Sequence, residues 1–201
     1  MKRNWFEIIT LVGSIIGALA WLPFVWDIAQ KPDIKGRLIG MSISGGSSFS
    51  YDDPRNNSRI EIKGIAYYPK LVLTALNRDF NVKTIEVYVK YPNDSQTYKG
   101  ITFYSSEHVM PVKTKNGETK TKILKIPPSE HVALLTVLEH GRVTTVFIPF
   151  IVDKGTFSFF SEIEFKFYDY EDKTRSFIVK KEDMDIPNTL YEEQYWTEVS
   201  Q

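Results

Sequence analysis

Between Glu7 and Asp27 lie nineteen residues without a charge, IITLVGSIIGALAWLPFVW. Few features restrict a chain more, because a helix of about 20 apolar residues matches the hydrocarbon thickness of a bilayer. Trp5 and Phe6 stand at one end of the run and Trp21, Phe24 and Trp26 at the other. Amphipathic rings of this kind favour the membrane–water interface. As a helix, Trp5 to Trp26 would rise roughly 32 Å at ~1.5 Å per residue. Pro23 falls in the last turn, where it bends or ends a helix. Residues 1–30 are therefore expected to form a transmembrane α-helix, with Trp5, Trp21 and Trp26 as interface anchors.

A cleaved signal peptide is the rival reading. Met1-Lys2-Arg3 supplies a basic start, and Ala18-Leu19-Ala20 has the A-x-A form of a cleavage site. Yet Trp-Leu-Pro-Phe-Val-Trp follows at once, far too apolar for an ordinary mature start, and Glu7 intrudes where a signal is basic or apolar. The spanning reading is the better of the two. Lys2 and Arg3 flank one side and Lys31, Lys35 and Arg37 the other. The positive-inside rule reads these as nearly tied and tips the C-terminal domain towards the cytoplasm.

One face of the expected helix is thin. Thr10, Gly13, Ser14, Gly17 and Ala20 recur at spacings of three and four and line one stripe. Gly13 and Gly17 form a GxxxG pair, which lets helix backbones approach closely, and Thr10 and Ser14 can hydrogen-bond across such a contact. Self-association into a homo-oligomer is one reading of the stripe. Glycine is also common in membrane helices without any pairing role, and both hydroxyls can bond back to their own backbone.

Beyond residue 30 the character of the chain changes. Gln30-Lys31-Pro32-Asp33 punctuates the helix, and residues 31–36 read as a short linker holding a folded domain close to the membrane. From there the apolar period is two rather than 3.6. LIGMSIS, RIEIKGIAYY, LVLTALN, TIEVYVKY and YKGITFY read as strands, as do RVTTVFIPFIV, TFSFFSEIEFKFYDY and RSFIVKK. GGSSFSYDDPRNNS reads as a loop, and Pro69 as the end of a strand. Asn116-Gly117 is a strong hairpin signal between two lysine-rich runs, since both residues accept positive φ. Ser129 is placed to cap a short helix over Glu130–His140, with Gly141 beyond its end, although the β-branched content also permits a strand. Within the Phe-rich run, Phe165 and Phe167 are expected inward, and adjacent Phe159 and Phe160 must face opposite ways. Residues 37–180 are thus expected to form an all-β antiparallel sandwich. Residues 181–201 carry one Lys against six acidic side chains and read as a solvated tail.

KPDIKGRLIG, LVLTALNRDFNVKTIEVYVKY and IEFKFYDYEDKTRSFIVKK together resemble the immunoglobulin-like sandwich that follows a transmembrane helix in many small bacterial membrane proteins. In that pattern a strand ends in Asn, here Asn77, and an I-x-V-x-V strand follows a short turn, here Ile85, Val87 and Val89. The layout is also similar to membrane effectors of bacterial anti-phage systems. The resemblance implies a single-pass protein of the bacterial inner membrane and carries over no functional residue. No Cys pair and no Trp stand in the sandwich, since the chain has no Cys and its four Trp are residues 5, 21, 26 and 196.

Chemistry is hard to find. His108, His131 and His140 have no partners at metal-ligand spacing, so no metal site is expected. GGSS at residues 45–48 lacks the Lys-Ser/Thr of a phosphate loop. No nucleophile motif appears, and neither enzymatic activity nor a cofactor is expected. Zero net charge gives no polycation for specific nucleic-acid binding. The most distinctive soluble feature is the basic hairpin of Lys113, Lys115, Lys120, Lys122 and Lys125. It reads as protection of a sheet edge, as contact with anionic lipid, or as capture of an anionic ligand or protein partner. The expected function is a non-enzymatic membrane-perturbing effector, acting on the lipid bilayer, that self-associates through its helix under control of the sandwich. The alternative is a membrane-anchored adaptor or inhibitor whose sandwich binds another protein.

Overall fold

Among the described residues the period-two segments become thirteen strands, each paired antiparallel to its neighbours. The computed structural model describes residues 17, 20, 21, 31–53, 58–113, 118–156, 158–183 and 195–198. Of the expected transmembrane segment, Gly17, Ala20 and Trp21 are described and have helical backbone. The rest of residues 1–30 lies outside the described residues. Among those described, no helix is long and apolar enough to cross a membrane.

The frame is a hairpin of two long strands, β1 (Asp33–Asp53) and β2 (Ser58–Leu76). The remaining strands are β3 (Phe80–Asn81), β4 (Thr84–Lys90), β5 (Thr97–Thr102), β6 (Glu107–Lys113), β7 (Thr119–Lys125) and β8 (Val137–Leu138), followed by β9 (Thr144–Phe147), β10 (Phe150–Val152), β11 (Glu162–Tyr168), β12 (Thr174–Lys180) and β13 (Trp196–Glu198). The main sheet runs β1-β2-β10-β5-β4-β11-β12, with β9 continuing β10 along β2. It curls on itself at β5, whose first four residues pair with β4 and whose last two pair with β10. Gly100 stands at this corner because the Phe150 ring occupies the space of its missing side chain, 2.7 Å from where a Cβ would lie. The two outer strands then meet, with the Phe177 ring of β12 laid over Gly36 of β1.

Curling leaves two cores on opposite faces of β2. Odd-numbered Ile65, Tyr67, Leu71, Leu73 and Ala75 face the inside of the curl, with Val87, Val89, Phe150, Ile163, Phe165 and Phe167. Even-numbered Ile62, Ala66 and Tyr68 face a separate three-stranded sheet, β13-β7-β6, across Phe103, Met110, Leu124 and Tyr195. A strand buried on both faces reads as a continuous apolar run, and GIAYYP, residues 64–69, does, whereas Glu61 and Lys63 before it are exposed. Phe160 is 1% exposed and Phe159 50%, and Phe165 and Phe167 point inward, as the alternation predicts.

Several expectations are corrected. The linker is shorter than residues 31–36, since Asp33 already pairs with Leu76. The GGSS stretch is not a loop. Gly46 takes φ +66 in a bulge between Ser44 and Ser47, and both strands run on to Asp53 and Ser58. Pro69 does not end β2. Its carbonyl accepts from Ile148 N at 3.1 Å, at the break between β9 and β10, so its missing N–H falls where no ladder bond is due. No α-helix forms over Glu130–His140. Two 3₁₀ turns, Pro128–Glu130 and Val132–Leu134, are followed by β8, which pairs with β3. Backbone bridges from His131 to Phe147 and from His140 to Ala75 take the segment out of helical pairing. Within the tail, Tyr195 is buried and β13 pairs with β7. The return of this segment to β7 completes the second core through Tyr195.

Candidate functional site

The long hairpin gives the sandwich two unlike ends. At the near end the chain comes in at Lys31, whose carbonyl accepts from Asn77 Nδ2 at 3.1 Å. The next carbonyl, that of Pro32, accepts from the Arg175 guanidinium of β12. The strand that begins here and the strand that closes the curl are therefore pinned together at the point of arrival. Asn77 itself holds φ +69, which is why an Asn can end β2 and turn the chain. The turns Asn77–Lys83 and Asp169–Lys173, and the segment Val137–Val143, all surround this point, as Lys83 N bonds Tyr168 O and Gly141 N bonds Ala75 O.

This rim is apolar where it protrudes. Tyr170 is 69% exposed and Val143 64%, with Val137 beside them. Two shallow grooves of about 330 and 380 Å³ run from it along the flank, separated at Leu135, and Leu134 and Tyr104 stand exposed on their walls. Three of the rim's cations are paired: Lys83 with Asp172 at 2.6 Å, Arg142 with Glu139 at 2.9 Å, and Lys173 with Glu171.

The second core holds the two buried histidines among the described residues, which the sequence did not reveal. His108 and His131 both aim Nε2 at the carbonyl of Ser105, at 2.7 and 3.2 Å. His131 Nδ1 accepts from Ala133 N, so its Nε2 carries the proton and donates. Burial pulls the His108 pKa down to about 4, against the help of the Ser105 carbonyl, and the neighbouring His131 lowers it further. On the other side of Phe147, Lys70 donates to the Tyr195 hydroxyl and pairs with Glu130 at 3.3 Å. Tyr195 in turn donates to Glu130 Oε2 at 3.1 Å. Burial lowers the Lys70 pKa, but Tyr195 and Glu130 outweigh it and the net shift is upward. Lys70 and Tyr195 lie 125 residues apart, so no local pattern could have joined them.

Elsewhere the groups are those of a solvated sheet face. Glu86 accepts from Lys99, Tyr168 and Tyr88 across three strands, and these bonds, led by Lys99, hold its carboxyl down at about 2. No cluster of three metal-ligating side chains occurs among the described residues.

The sequence-nominated residues are widely separated. Thr10, Gly13, Ser14, Trp5, Trp26 and Lys115 lie outside the described residues. Gly17, Ala20 and Trp21 are exposed, and a Cβ on Gly17 would meet nothing within 4 Å. The basic hairpin is present, with Lys113 opposite Thr119 in the β6–β7 register. Lys120 and Lys125 are exposed and Lys122 half-buried, and Lys125 pairs with Glu107 at 3.4 Å. The free edge that these lysines were expected to guard is covered where Glu198 of β13 stands opposite Lys122. Comparison with protein-family models, curated proteins and solved structures finds no match.

Proposed function

We propose that the chain is a single-pass membrane protein of the bacterial inner membrane, with its sandwich, of immunoglobulin-like layout, on the cytoplasmic side. Its function is to self-associate through the Thr10, Gly13, Ser14, Gly17 and Ala20 stripe and perturb the bilayer, under control of the sandwich. The observation that carries this is the clamped arrival of the chain. Asn77 and Arg175 fix Lys31 and Pro32 to the sandwich only four residues after Asp27, the first charge beyond the apolar run. A change in the sandwich is then transmitted to the helix rather than lost in a flexible tether.

The test is expression in bacterial cells with a membrane-potential dye. Wild type is expected to depolarise the membrane on induction or under a trigger such as phage infection, and a Gly13→Leu/Gly17→Leu variant to do so far less, because Leu holds helices apart. Equal behaviour of the two under every trigger sinks the effector reading. A monomer in membrane crosslinking, with one stable protein partner, supports the adaptor instead.

A further inference from the structure

We infer that the near end of the sandwich is a bilayer-seating surface, with Val143, Val137 and Tyr170 dipping into the headgroup region beside the helix. The inference rests on the reading of residues 5–26 as membrane-spanning and adds a second, independent contact to it.

Three observations converge on this rim. The first is reach. Five peptide steps separate Trp26 from Lys31, at most roughly 18 Å when fully extended, and Lys31 is fixed to the rim by Asn77. The headgroup layer is itself about 5 to 8 Å deep on each side of the hydrocarbon. A sandwich tethered so closely by one end keeps that end within about 10 Å of the headgroup layer. The second is polarity. Val143 and Tyr170 are among the most exposed large apolar side chains described, and both stand on segments that surround Lys31 rather than at the far end. Tyr is suited to this depth, with an apolar ring and a polar tip. The third is charge. Lys83, Arg142 and Lys173 are held by Asp172, Glu139 and Glu171, Arg175 is turned onto the Pro32 carbonyl, and the remaining rim cations Lys31 and Arg78 are nearly offset by Asp33 and Asp79 beside them in the chain. The surface therefore offers apolar insertion with little attraction for lipid charge, unlike a polybasic patch.

The far end provides the contrast. The β4–β5 turn at Ser95 belongs to the opposite pole, where β4 ends and β5 begins. Because the chain has no cysteine, single environment-sensitive probes can be placed without background. The experiment uses the full chain in phosphatidylcholine vesicles, labelled singly at Val143→Cys, Tyr170→Cys, Ser95→Cys or Ile15→Cys, with quenchers carried on the lipid or dissolved in water. Lipid-borne quenchers are expected to quench the Val143 and Tyr170 probes several-fold more than the Ser95 probe, and to reach the Ile15 probe as well. Adding phosphatidylglycerol should leave this ratio unchanged. If Ile15 is quenched while Val143 and Tyr170 match Ser95, the seating surface is refuted and the spanning helix stands. If Ile15 is not quenched, the spanning reading falls and takes the proposal with it. Near-end probes shielded from the aqueous quencher yet untouched by the lipid one mean that a second copy or another protein covers the rim, which overturns the proposal. Quenching that appears only with anionic lipid overturns its apolar basis.

Discussion

The two cores of the sandwich share a wall, β2, but are built on different terms. The first, inside the curl, is almost wholly apolar. Its polar exception is a closed pair, the Tyr67 and Tyr91 hydroxyls at 2.9 Å, with the Tyr67 ring stacked on Phe150 at 5.0 Å. The second mixes Leu124, Met110 and Phe147 with two imidazoles, and its border carries the Lys70–Tyr195–Glu130 network. The first draws its residues from strands that follow one another through the sheet. The second is closed by a strand from the end of the chain. One core fixes the fold, and the other is where solution conditions can act on it.

The sharpest way to break the first core is Phe165→Ala. Its ring is fully buried between Phe150 and Phe177, so the change should cost about 3 to 5 kcal/mol through lost transfer and an unfilled cavity. Urea melts check this, and loss should be seen throughout the sandwich because the curl cannot close. The second core should instead respond to acid. The folded pKa of His108 is about 4, below its usual 6.5, so the unfolded chain takes up a proton first as pH falls. Stability should hold above pH 6.5 and drain away down to about pH 4, on the order of 3 kcal/mol in all. A His108→Phe variant should lose that part of the slope, and an unchanged pH profile in denaturant melts counts against the assignment. The smallest effect is expected from Tyr195→Phe. The ring stays packed on Phe147 while Lys70 and Glu130 keep each other, so the loss is about 1 kcal/mol. Hydrogen exchange should then rise in β13 and β7 and leave β11 unaffected.

The same division explains what the sequence made legible. Strands of the first core announce themselves, because a period of two with large side chains on one face leaves little choice of register. Ile163, Phe165 and Phe167 point inward from residue pattern alone. The near end was legible only in part. Asn77 could be read as a turn, but its grip on Lys31 could not. The second core was invisible for a physical reason. His108, His131, Lys70 and Tyr195 each look like isolated surface residues until β6, the 3₁₀ turns, β2 and β13 are brought together. The misread helix over Glu130–His140 has the same origin. Its capping and spacing are locally helical, and long-range bridges to Phe147 and Ala75 override them. Pro69 was misjudged because the rule against proline in a strand assumes an unbroken neighbour on its N–H side.

The β1–β2 hairpin also has a mechanical meaning. It joins at eighteen registered positions along almost its whole length, and its inter-strand hydrogen bonds lie across the strand axis. A pull on Lys31 along β1, away from the sandwich, would load these bonds together in shear rather than one after another. Arg175 ties Pro32, just ahead of the first pair, to β12 where the curl closes. Displacement of the segment before Lys31 would therefore move the sandwich as a unit, so the joint works as a lever and not as a hinge.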